Sequence, residues 1–271
     1  MSDQQALAGY VEVWWQAIDD FTSLLESLDA ADWDRPTDLA GWDVRAVAAH
    51  VAHLESVLAT GTEEHAEVGE PPHVSGMLGL YTEIGVVNRR TSSPDAIINE
   101  IREAATTRHT ALLADPPSDG DAQPPSIFGG VPWSWRTLLR NRPLDVWMHE
   151  QDVRRAVGRP GGLDTAPARH TAEYLAESLG FVLGKKVGAP AGTTLVLEMD
   201  GSEPFAFEID DAGRGQRLVA APAEPTVTLG MDRDSFIRLS GGRRPAEPGA
   251  VRIDGDITLG EQVVAAMATT P

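Results

Sequence analysis

Apolar residues return every three or four positions through most of the first two-thirds of this chain, a periodicity that packed helices satisfy and sheets do not. From about Gln5 to Leu28 the series Tyr10, Val13, Trp14, Ile18, Phe21, Leu24, Leu25 and Leu28 falls on one helical face, because positions three and four apart lie one above the other. After a break in "DWDRPTDLAGW", Asp43 is placed to cap a second helix, "VRAVAAHVAHLESVLAT", by accepting from the free N–H groups of its first turn. A third helix is expected from Met77 to about Asn88. The fourth opens on Ser93 as cap with Pro94 at the first position, where a missing N–H costs nothing. A long loop leads to "RTLLRNRPLDVWMHEQDVRRAVG", in which Pro143 either kinks the helix or marks its true start. A further helix, "ARHTAEYLAESLGFVLGKK", is expected to end near Gly184. Long amphipathic helices joined by loops predict a helical bundle.

The period changes after "VGAPAGT". "TTLVLEM", "FAFEID", "TVTLGM" and "AVRIDG" alternate or run β-branched between turn signals, and two short helices, "DSFIRLSGG" and "TLGEQVVAAMAT", sit among them. The expected organisation is a mostly α protein with an α+β C-terminal domain: a helical domain over 1–188 and a small α+β domain over 189–271.

At 271 residues and 42% apolar, the chain is long enough for two domains with real cores. A net charge of −19 argues against nucleic acid and anionic membranes as partners. The absence of cysteine rules out disulfides, thiolate metal sites and a cysteine nucleophile. No signal peptide and no membrane-length apolar run are evident, so a cytoplasmic setting is expected.

The chemistry is sought among seven histidines, at 50, 53, 65, 73, 109, 149 and 170. In "DVWMHEQDVRRAVG", Asp145 and His149 are one helical turn apart beside Val146, Trp147 and Met148. That spacing suits an ordinary surface hydrogen bond. It also suits two metal ligands aimed inward, as acids and histidines are in metal-binding bundles. His50 on the apolar second helix is a core histidine or a third ligand, and one acid with two histidines leaves an open position at zinc. Asp152, one turn past His149, either orients a ligand or pairs with a nearby arginine. Arg243 and Arg244 in "SGGRRPAEPG" could clamp an acidic substrate or belong to a solvated turn. "HEQDV" has Val153 where a zinc-protease motif has histidine, and no GxSxG elbow is present. Trp14 and Trp15 are read as core and interface residues.

"LAGWDVRAVAAHVAHLE" and "LDVWMHEQDVRRAVGRP" resemble the two metal segments of the mycothiol-dependent maleylpyruvate isomerase family, and "VTLGMDRDSFIRLSGGRRP…VRIDGDITLGEQVVAAM" is similar to its C-terminal domain. The resemblance covers nearly the whole chain in the expected order. It implies a DinB-like four-helix bundle followed by a sterol-carrier-like domain, with a divalent metal, usually zinc, held by His50, Asp145 and His149. His53 is the fallback for His50. The family's acid is typically Glu; Asp145 is one methylene shorter, which draws the helix closer, alters the metal's geometry or weakens binding.

The resemblance further implies an enzyme that activates the thiol of mycothiol for a small-molecule substrate. As an isomerase, the thiolate adds to the cis double bond of maleylpyruvate, the resulting single bond rotates, and elimination leaves the trans product. As an S-transferase, the thiolate attacks an electrophile and stays attached. The alternative is a non-catalytic ligand- or protein-binding module whose metal site is degenerate. Substrate carboxylates call for arginines, for which Arg243, Arg244 and Arg90 are candidates.

Overall fold

The computed structural model describes residues 2–245 and 247–270. The chain divides into two compact units, one running to His170 and one beginning at Thr171.

The first unit is helical: α1 (Asp3–Glu26), α2 (Val44–Thr60), α3 (Gly76–Arg89), α4 (Pro94–Ala114) and α5 (Trp135–Val157). α1 packs along α5 and α4, while α2 packs on α4, α3 and α5. Most of the apolar stripe read from the sequence is buried: Trp14, Ile18, Phe21, Leu24 and Leu25 of α1 are core, while Tyr10, Val13 and Leu28 are partly covered. Leu7 of α1, Ile97 and Ile101 of α4, and Leu139 and Trp147 of α5 are core as well. Each such side chain contributes about 1.5–3 kcal/mol by leaving water. Ala46, Ala48, Ala49 and Ala52 are buried on α2, and their small size lets neighbouring helices approach the backbone that carries His50.

The helix starts follow from local chemistry. Asp43 accepts from the Ala46 N–H at 2.8 Å, and Ser93 from the Ala96 N–H at 3.2 Å with Pro94 next. α5 starts at Ser134, whose side chain accepts from Thr137, and runs unbroken through the buried Pro143. The start is therefore upstream of Pro143, because the cap decides it and the proline forfeits only one N–H. α5 stops at Gly158, whose φ of 67° closes the helix in the left-handed region.

α6 (Ala166–Ala176) spans the divide between the units. The single helix expected to reach Gly184 is interrupted after Ala176; α7 (Leu179–Phe181) follows, then a π turn over Val182–Val187. These residues pack against strands and the last helix of the second unit, which places them with the sheet, whereas the sequence pattern set the divide at 188.

In the second unit β1 (Thr194–Met199), β2 (Phe205–Ile209), β3 (Gly215–Leu218), β4 (Val227–Met231) and β5 (Arg252–Gly255) form one sheet in the order β3-β2-β1-β4-β5. β1 and β4 are parallel and the other pairs antiparallel. α8 (Arg233–Ser240) and α9 (Ile257–Ala266) complete it. β3 lies outside the four strands read from the sequence; as an edge strand, "GQRL", it has no buried residue, and so no apolar alternation announces it. No helix among the described residues is long and apolar enough to cross a membrane.

Candidate functional site

α2 is apolar along its length, yet it buries His50, His53 and Glu55. α5 faces it with Asp145 and His149, one turn apart, so that both project from the same side. His50 Nε2 lies 3.6 Å from Asp145 Oδ2, and His149 Nε2 lies 3.6 Å from Asp145 Oδ1. The two imidazoles meet edge to face with centroids 4.9 Å apart. All three donor atoms fall within 4.8 Å of one another.

A gap of 3.6 Å is too long for a hydrogen bond. His50, 3% exposed, also has no hydrogen-bond partner for Nδ1. His50 Nε2, His149 Nε2 and the Asp145 carboxylate therefore face one another at more than hydrogen-bond length. Donors around a tetrahedral cation with bonds of about 2.1 Å stand roughly 3.4 Å apart, so the spacing and the donor set both fit a divalent metal. Burial pushes His50 down to about 4 against the opposing pull of Asp145, which leaves a neutral ring with a lone pair to offer. For Asp145 burial acts upward, but the Arg142 charge, with His149 and His50, overrides it and holds the carboxyl well below its usual range. It is the site's anion.

The residues around the triad fix its orientation. His149 Nδ1 is 3.2 Å from Asp152 Oδ2; an ionised carboxylate only accepts, so Nδ1 carries a proton, and Nε2 is the nitrogen turned toward Asp145. Asp152 also accepts from Arg155 Nη2 at 2.7 Å, and Arg155 Nε donates to Asp38 at 3.0 Å. The one carboxylate thus contacts both His149 and Arg155. Trp42, half-buried, lays its ring 5.1 Å from His50 and 6.1 Å from His149. Its indole N–H donates to Glu83 at 2.8 Å.

The other expected residues have surroundings of their own. His53 is fully buried, but its ring sits 5.1 Å from Tyr81 and neither nitrogen has a partner; it is absent from the convergent group. Arg90 is exposed beside Glu83, at 3.8 Å. Arg243 and Arg244 belong to the second unit, where Arg243 donates to the Gly241 carbonyl at 2.7 Å. Trp14 is core and Trp15 stacks on His109 with centroids 4.3 Å apart.

Sequence reasoning passed over Arg142 and Glu55, which stand directly behind Asp145. A lone acid on the buried face of an otherwise apolar helix was the available signal for Glu55, since a buried charge requires a partner.

The family profile described as "Mycothiol maleylpyruvate isomerase N-terminal domain" matches residues 14–154, and that described as "MDMPI C-terminal domain" matches residues 169–262. The chain belongs to the mycothiol maleylpyruvate isomerase family. His50, Asp145 and His149 all lie within the first matched segment. Among solved structures, a crystal structure of the mycothiol-dependent maleylpyruvate isomerase is similar with a TM-score of 0.55 at 17% identity, over 94% of this chain and 96% of that one. A histidine-to-alanine mutant of that isomerase gives a TM-score of 0.54 at the same 17% identity, covering 94% and 96%. At this identity the likeness is one of fold. No curated protein matches the sequence.

Proposed function

We propose that this chain is a divalent-metal-dependent enzyme that activates the thiol of mycothiol. It would act as a maleylpyruvate isomerase-like cis–trans isomerase or as a mycothiol S-transferase, with the helical unit serving as a DinB-like four-helix bundle. The observation that carries this reading is the convergence of His50, Asp145 and His149 donor atoms within 4.8 Å, in a chain of this family. Two imidazoles and one carboxylate suit zinc and leave a fourth position for an incoming ligand. When bound, such a cation favours the thiolate over the thiol near neutral pH. The chain has no cysteine, so the sulfur must come from a low-molecular-weight partner.

The protein's own groups do the rest. His50, kept neutral by its burial, and His149 would each offer a ring nitrogen, and Asp145 supplies one negative charge. Asp152 prevents the His149 ring from turning, and Trp42 shields both rings from water on one side. Arg243 and Arg244 remain the proposed counter-charges for a substrate carboxylate. Their replacement should raise KM with metal content unchanged.

The deciding experiment incubates zinc-loaded protein with mycothiol, offering maleylpyruvate in one arm and simple electrophiles in the other. A trans product selects the isomerase and a stable thiol adduct the transferase. Loss of both activities and of stoichiometric zinc in His149→Ala supports the assigned ligands. Turnover without added thiol would overturn the role of mycothiol.

One observation favours a second reading, a non-catalytic ligand- or protein-binding module. Arg142 already donates to Asp145 at 2.9 Å, so that the carboxylate is charge-paired without a cation. Purified protein that takes up no metal would favour the module.

A further inference from the structure

Arg142 and Glu55 are both completely buried, at 0% side-chain exposure each. Burying two charges is costly, and the return is rarely stability alone. The hydrogen bonds show where the guanidinium is aimed. Nε and Nη2 donate to Glu55 Oε1 at 3.0 and 2.7 Å, and Nη1 donates to Asp145 Oδ2 at 2.9 Å. Glu55 is held in turn by Trp14 Nε1 at 3.1 Å and Arg108 Nη1 at 3.2 Å. The carboxylate that faces both histidines is thereby tied to α1, α2 and α4 through one planar fork.

We infer that Arg142 is the positioning residue for the Asp145 carboxylate, with Glu55 fixing the angle of the fork. The inference rests on the metal reading above and deepens it. A terminal carboxylate turns easily about its last torsion. With Oδ2 pinned by Arg142, Oδ1 is kept toward His149 and Oδ2 toward His50, the arrangement a shared cation needs. The Arg142 charge alone would repel a cation, but Glu55 offsets it at close range. The remaining positive charge lies on Arg108, 4.7 Å over the Trp14 ring. Orientation therefore outweighs repulsion, and removing Arg142 loosens metal binding instead of tightening it. Lysine is no substitute, because a point ammonium cannot bond both carboxylates in one plane.

The test titrates the full-length protein with zinc alone against a chromophoric chelator, each variant first confirmed as folded by circular dichroism. Arg142→Met should weaken zinc binding about 10–100-fold, the range for residues that orient metal ligands, with Arg142→Lys falling between it and the parent. In an Asp145→Ala background, replacing Arg142 should add nothing, because its action runs through that carboxylate. Affinity unchanged or raised in the single variants overturns the inference, as does an equal loss in the Asp145→Ala background. If neither Arg142 variant folds, Glu55→Gln decides in the same way: weakened zinc binding supports the inference and unchanged affinity overturns it. Failure of the parent protein to take up zinc defeats the metal reading and this inference together. Zinc uptake by the parent with undisturbed variants defeats this inference alone.

Discussion

His50 and His53 show how little separates a ligand from a core residue. They share a helix, a three-residue interval and near-complete burial, yet one faces Asp145 and the other an aromatic ring. Nothing in "AAHVAHLE" distinguishes them, because the choice depends on which neighbour α5 or α3 brings to each. His53 has consequences of its own. Burial lowers it from its ordinary 6.5, against the pull of Glu64, and its nitrogens have no hydrogen bonds. The folded state keeps the ring neutral, so below pH 6.5 the unfolded chain takes up the proton first. The group leaves stability unchanged above that pH and subtracts from it as the pH falls. His53→Leu should therefore flatten the acid limb of the Tm-against-pH curve, whatever constant offset the loss of two unbonded ring nitrogens adds at pH 8. An acid limb as steep as the parent's would show that His53 is not the titrating group.

At the scale of elements, what is local in cause was readable from the sequence. Asp43 and Ser93 were so read; Ser134 was not, since Pro143 offered a rival start downstream, yet all three begin their helices because a side-chain oxygen satisfies N–H groups a few residues away. The four strands with apolar alternation were readable for the same reason. β3 and the interruption after Ala176 were not, since each depends on a distant partner. Gly180 and Gly215 show that dependence directly: a Cβ at Gly215 would lie 2.3 Å from the Gly180 carbonyl oxygen. Backbone cannot step aside as a flexible side chain does. Gly215→Ala should cost about 1–3 kcal/mol, the range for overpacking a tight contact, measured by urea unfolding. A change within experimental error would mean that the contact yields.

For the whole molecule, a cation held at the triad couples binding to folding, because the unfolded chain scatters three ligands over a hundred residues of sequence. Zinc at one hundred times its Kd should add about 2.7 kcal/mol of stability. The accompanying rise in Tm should vanish with EDTA and in His50→Ala. A rise that persists in that variant would place the binding elsewhere. The sequence by itself determined the helical first part and the strand-rich second, the caps at Asp43 and Ser93, and the residue types of the candidate centre, since periodicity and capping act over one or two turns. The resemblance preferred His50 to His53, but the residues themselves did not separate the two, and only the tertiary structure shows His50 facing Asp145 with Arg142 and Glu55 behind it. Those outcomes depend on how α2 and α5 are rotated against each other, and that rotation is set by the packing of all the helices at once.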